Sequence, residues 1–189
     1  MISNYGAVSA DVLSEGESFW DRQDFPTDTH ELLRYSFFLG LFPFAGFFFS
    51  YTVTGRVWND WPFINSTLPV LRGLMCAGAQ WVFFATFPII STLLLELLYS
   101  RRPSPPDAKK LTVVCTYSMV PMHLAALFVG VLFVHRTTTL FGFSIFLYLL
   151  YFGYRRYMNL NSRRSAIMTF LVFVLFGLIR YMFVFVIGF

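Results

Sequence analysis

Residues 166–189, AIMTFLVFVLFGLIRYMFVFVIGF, hold a single charged side chain, Arg180. A bilayer core about 30 Å thick takes roughly 20 apolar residues at a rise of about 1.5 Å each, so this stretch is long enough to cross it as one helix. Working back along the chain, Thr138 to Tyr154, Leu111 to Val134, Gly73 to Tyr99 and Tyr35 to Thr54 pass the same test. Only Arg136 and the Thr137 to Thr139 run separate the third stretch from the fourth, which predicts a tight helical hairpin. The expectation is an all-α integral membrane protein of five transmembrane helices. Residues 35–189 form the membrane domain and residues 1–34 an acidic N-terminal tail. The composition agrees: 57% of the 189 residues are hydrophobic, 21% aromatic and only 13% charged, too few polar groups to cover a water-soluble domain of this size.

Charge placement gives an orientation. Lys and Arg near the ends of spans are retained in the cytoplasm during insertion. Arg22, Arg34, Arg101, Arg102, Lys109, Lys110, Arg155, Arg156, Arg163 and Arg164 fall on one side, and Arg56, Arg72 and Arg136 on the other. This predicts a cytoplasmic N-terminus, cytoplasmic loops at 100–110 and 155–165, and an outer loop at 55–72. The 135–137 turn and the C-terminus face outwards with that loop, and Trp58 and Trp61 sit in the outer interface. The tail carries Asp11, Glu15, Glu17, Asp21, Asp24, Asp28 and Glu31 against Arg22 and Arg34, the opposite of the basic leader of a signal peptide, so no cleavable signal is expected. The formal charge of +4 therefore sums an acidic head with basic loops, and nucleic acid is not an expected partner. Two readings of the tail stand open: it docks back on the basic loops, or it is solvated.

Pro43, Pro88 and Pro121 each remove an amide donor and free the carbonyl four residues earlier, at Leu39, Phe84 and Tyr117. Kinks in the first three spans follow, with the freed carbonyls facing other helices and Ser118 a local donor for the Tyr117 region. Gly73 with Ala77 and the Cys76 to Ala79 run offer a close-packing face, within the chain or to a second copy. Neither Cys76 nor Cys115 has the spacing of a disulfide scaffold or a zinc site, and no metal or cofactor is expected.

The intramembrane polar residues are the candidate sites, because an arginine at mid-membrane costs about 2.5 to 3.5 kcal/mol. Arg180 lies in the outer third of its span and either snorkels outwards or faces the bundle, where it meets a lipid phosphate or freed carbonyls. His123 lies at a similar depth, either bonded structurally across helices or part of a site. Glu96, nearer the cytoplasmic edge, either pairs with Tyr117 or emerges into the headgroups. Tyr148, Tyr151, Tyr154 and Tyr157 recur every three residues beside Arg155 and Arg156, as an interfacial belt or as a lipid or partner surface. No GxSxG, HExxH or Walker loop occurs, so an enzyme is not expected. Asn65, Ser66 and Thr67 form an outer-side glycosylation sequon.

Tyr117-Ser118-Met119-Val120-Pro121 in the third span, the aromatic fourth span ending Leu150 to Tyr154, and the polar loop Asn159 to Ser165 before the last span resemble the Yip family. These are the Ypt/Rab-interacting membrane proteins and their bacterial relatives. The resemblance implies five spans, a cytoplasmic N-terminal region and a short C-terminus on the far side. Thr116 stands where a glycine often precedes the tyrosine. The tail also lacks the acidic DLYGP-type signature of eukaryotic members, so the sequence looks more like a bacterial member. The expected function is non-enzymatic, an adaptor or accessory subunit binding a protein or lipid partner in the membrane. The expected partners are membrane lipids with other membrane subunits or further copies of this chain. The alternatives are a small transporter or channel with a polar path through His123 and Arg180, and a trafficking factor binding a Rab-type GTPase. A bacterial inner membrane is favoured over a eukaryotic Golgi or ER membrane.

Overall fold

The computed structural model describes residues 2–22, 26–50, 52, 69–99, 107–130 and 135–187. Arg56, Trp58, Trp61, Asn65, Arg101 and Arg102 lie outside them, so the readings placed on those residues have no structural counterpart here. Eight α-helices make up the described residues: α1 (Ile2–Glu15), α2 (Thr29–Leu39), α3 (Leu41–Phe49), α4 (Pro69–Tyr99), α5 (Ala108–Ser118), α6 (Val120–Ala126), α7 (His135–Phe152) and α8 (Ser162–Ile187). Short 3-10 turns follow α1 (Gly16–Asp21) and α6 (Leu127–Gly130), and a π turn (Gly153–Tyr157) closes α7.

Among the described residues four stretches are long and apolar enough to cross a membrane: Thr29–Phe49, Gly73–Tyr99, Thr137–Tyr157 and Ser162–Met182. The third expected span, Leu111 to Val134, is not among them; its residues 131–134 lie outside the described residues, and the kink expected there divides the described part into α5 and α6. Its helix breaks at Met119, whose amide donates to both Cys115 and Thr116 at 3.2 Å, tightening the turn two residues before Pro121. Such a break in lipid would leave carbonyls without donors, but here it is enclosed by protein. Leu111, Val113 to Ser118, and Val120 to His123 are all buried, which places α5 and α6 in the interior of the bundle.

The other prolines act differently. The first span breaks at Gly40, three residues before Pro43, and Trp81 of α4 packs at that break with its indole N–H donating to the Phe37 carbonyl at 2.9 Å. Helix α4 runs unbroken through Pro88, whose own carbonyl accepts from Ser91 Oγ at 3.0 Å and Thr92 Oγ1 at 2.8 Å. Ser118 is not the donor expected for the Tyr117 region: its buried Oγ makes no hydrogen bond among the described residues. Helix α7 begins at His135, so the 135–137 segment expected as a turn is helical.

Helix contacts inside a membrane depend on close packing rather than on expelling water. At Gly46 of α3 a Cβ would come within 2.1 Å of the Ala126 carbonyl oxygen, so only glycine lets α3 cross α6 there. Helix α8 lies at the edge of the bundle. It buries Met168, Val172 and Phe176, spaced four apart, and the Phe176 ring meets those of Phe83, Phe87, Phe143 and Phe146 at centroid distances of 5.0 to 6.0 Å.

Candidate functional site

The N-terminal segment is built into the bundle. In α1, Val8 and Val12 share one face and are buried, and the turn that follows buries Phe19 and Trp20, which are only 1% and 2% exposed. Asp28 caps α2 by accepting from the amides of His30 and Glu31, so this helix starts six residues before the expected first span. The segment lies across the basic end of the bundle, the end that carries the π turn and the start of α8.

Aromatic rings and hydroxyls join the two parts. Phe19 packs edge-on against Tyr117 at 5.5 Å, Tyr117 against Tyr35 at 5.2 Å, and Tyr35 against Tyr5 at 5.4 Å. Tyr117 Oη donates to the Pro26 carbonyl at 2.8 Å. Ser9 Oγ donates its proton to the Tyr5 carbonyl at 2.9 Å, so in the 2.8 Å contact with Tyr35 the tyrosine hydroxyl is the donor. Trp20 packs against Tyr157, and a Cβ on Gly153 would meet Val114 at 2.7 Å and Trp20 at 3.1 Å. The glycine in the π turn therefore makes room for the indole.

Charge completes the closure. Arg156 pairs with Glu17 at 3.2 Å and with Asp21, and its guanidinium also lies over the Phe152 ring. Arg22 folds back on Asp11 at 3.1 Å and Glu15 at 2.7 Å. The side chains of these pairs are one-third to just over one-half exposed, where an ion pair contributes about 0 to 1 kcal/mol. Burial of Phe19 and Trp20 outweighs them, since a large aromatic removes on the order of 150 to 250 Å² from water at about 25 cal/mol per Å². Of the two readings of the tail, the docked one fits this geometry, with Arg156 as the basic residue that receives it.

The expected site residues lie in separate places. Tyr117 and Arg156 meet the N-terminal segment. His123 is buried in α6, with Nδ1 at 2.8 Å from the Met119 carbonyl and its ring 5.2 Å from that of Phe84. Phe84 is the residue whose carbonyl Pro88 frees, and the buried imidazole Nε2 makes no hydrogen bond among the described residues. Arg180 is half-buried with its guanidinium over Phe83, 5.9 Å from the centroid. His123 and Arg180 thus flank two neighbouring phenylalanines of α4. Glu96 is exposed, and the Tyr117 hydroxyl donates to the Pro26 carbonyl, so of its two readings the one in which Glu96 emerges fits this geometry. Tyr148 is exposed and packs on Phe152 at 4.7 Å, while Tyr151 bonds Ser162 at 2.9 Å across the α7–α8 turn. Tyr154 is buried, 3.6 Å from Cys115 Sγ. Among the described residues no group of three His, Cys, Asp or Glu could hold a metal ion.

Sequence reasoning passed over Ser9, Phe19, Trp20 and Tyr35. The signal for them is the spacing of Val8 and Val12 in α1 followed by an aromatic pair, set among acids that conceal it. Tyr117→Phe is expected to keep the ring packing and lose the bond to Pro26. That loss costs about 1 kcal/mol and speeds proteolysis around residue 26 several-fold, which limited proteolysis in detergent reads.

The Yip1 domain model matches residues 11–184, from within α1 to within α8. No curated protein and no solved structure gives a significant match.

Proposed function

The chain belongs to the Yip1 domain family, and from that premise we propose that it is a non-enzymatic membrane adaptor or accessory subunit that holds a protein or lipid partner in the bilayer. Its apolar helices make it an integral membrane protein. In this reading α5 and α6 together form a fifth crossing, the N-terminus and the basic loops face the cytoplasm, and the membrane is a bacterial inner membrane.

The observation that carries the proposal is the packing between the polar residues of the rival transporter path. Phe83, Phe84, Phe87, Phe146 and Phe176, none more than 7% exposed, fill the region around His123 and Arg180. The imidazole bonds its own helix and the guanidinium lies over an aromatic ring, which supports structural roles for both. The outward faces, by contrast, are rich in large apolar side chains, including Phe141, Tyr148, Phe170 and Tyr181. The N-terminal segment is engaged with its own bundle, which gives the GTPase-binding alternative no free tail to work with.

The test is affinity purification in a mild detergent followed by native mass spectrometry. An adaptor is recovered with another membrane subunit in fixed ratio, and Tyr148→Ala with Tyr151→Ala releases that subunit while the chain stays folded. Recovery of this chain alone, together with substrate flux in vesicles that His123→Leu or Arg180→Gln abolishes, would replace the proposal with the transporter reading.

A further inference from the structure

The basic end of the bundle is only partly neutralised by the N-terminal segment. Arg156 is taken by Glu17 and Asp21, whereas Arg155, Arg163 and Arg164 are exposed and have no carboxylate partner among the described residues. The local structure gathers them. The Tyr151–Ser162 hydrogen bond ties the last turn of α7 to the first turn of α8. Arg155 follows Tyr151 by about one turn, and Arg163 follows Ser162 directly. Asn161 caps α8 by accepting from the Arg164 amide at 2.9 Å, so the positive end of a 26-residue helix opens at the same place.

An apolar track starts from these arginines. Arg163, Ile167, Phe170, Val174, Leu178 and Tyr181 follow at intervals of four, three, four, four and three, which places them on one face of α8. Ile167 is 45% exposed, Phe170 62%, Val174 36% and Leu178 56%. From Arg163 to Val174 the helix rises about 16 Å, close to half of a hydrocarbon core of about 30 Å. A cationic head above one leaflet's length of apolar surface has the shape and charge of an anionic phospholipid's complement.

We propose that Arg155, Arg163 and Arg164 with the Ile167–Phe170–Val174 stripe form a binding site for one anionic phospholipid, its phosphate on the arginines and an acyl chain along α8. The site goes beyond the adaptor role and does not depend on it, because a chain without any protein partner would hold the lipid equally. Arg156 takes no part, since the N-terminal acids occupy it.

The experiment compares phosphatidylglycerol with phosphatidylcholine of the same acyl chains. The full-length chain is extracted in detergent, and lipid retention is read by native mass spectrometry. The wild type is expected to retain phosphatidylglycerol in preference to phosphatidylcholine by tenfold or more, at about fivefold for each arginine near the surface. Arg155→Gln, Arg163→Gln and Arg164→Gln together abolish the preference. Phe170→Ala weakens retention of both lipids. Equal retention of the two lipids by the wild type, or a preference that survives in the triple variant, would overturn the proposal. A stable homodimer in phosphatidylcholine nanodiscs that Phe170→Ala dissociates would overturn it too, by giving the stripe to a second copy.

Discussion

Trp20→Ala is expected to lower the thermal midpoint of the detergent-solubilised protein by on the order of 10 °C and to expose residues 1–28 to protease. The indole is 2% exposed, packed against Tyr157 and fitted over Gly153, and it sits at the aqueous end of the bundle, where its removal gives water access to the site. Truncating a buried tryptophan costs about 3 to 5 kcal/mol, and a chain of this size loses about 2 to 4 °C per kcal/mol. Trp20→Phe keeps most of the buried area and is expected to lose less than half as much. Arg156→Gln removes only partly exposed ion pairs, so its midpoint is expected to fall by no more than a few degrees. If Arg156→Gln proved as damaging as Trp20→Ala, charge rather than aromatic burial would be holding the segment.

The second large effect belongs to the crossing of α3 and α6. Gly46→Val is expected to abolish monodisperse extraction of the chain. A Cβ at this position meets the Ala126 carbonyl oxygen at 2.1 Å and Leu127 backbone atoms at 2.8 and 2.9 Å, and backbone cannot step aside as a flexible side chain can. Overpacking of a well-filled core costs about 1 to 3 kcal/mol when side chains can yield, and more when the crossing itself must open. Gly78 supplies the control, since a Cβ there meets nothing within 4 Å and Gly78→Ala is expected to leave extraction unchanged. Size-exclusion profiles of the two variants in one detergent decide the matter. Similar profiles would mean that the α3–α6 crossing is looser than its geometry requires.

These two positions also mark what the sequence could and could not convey. Apolar length conveyed the helical membrane class, because a run such as Gly73 to Tyr99 has no other solvent, and α4 and α8 follow the expected spans closely. Pro121 conveyed a disturbance in the third span but not its form. Whether a helix kinks or divides there depends on the burial of Tyr117 and Ser118 among neighbouring helices, which span length does not encode. Trp20 was hidden among Glu15, Glu17 and Asp21, an acidic run whose docking the sequence left open, and only the fold shows Glu17 and Asp21 meeting Arg156 while the indole turns inwards. His123 and Arg180 were legible as anomalies by type and depth. Their relation, one on each side of the Phe83–Phe84 pair, depends on the rotation of α4 and α8 about their axes.

The acidic N-terminal segment is a built part of the membrane domain and closes its basic end. The direct measurement is a cross-link between Glu17→Cys and Arg156→Cys in membranes, using a short bis-maleimide on a chain whose Cys76 and Cys115 are serine. Both positions are partly exposed and their native side chains are in contact at 3.2 Å. An intramolecular cross-link is expected in most molecules, lost when Trp20→Ala is added. Efficient single labelling of both cysteines with no cross-link between them would mean that the segment does not dock on the bundle.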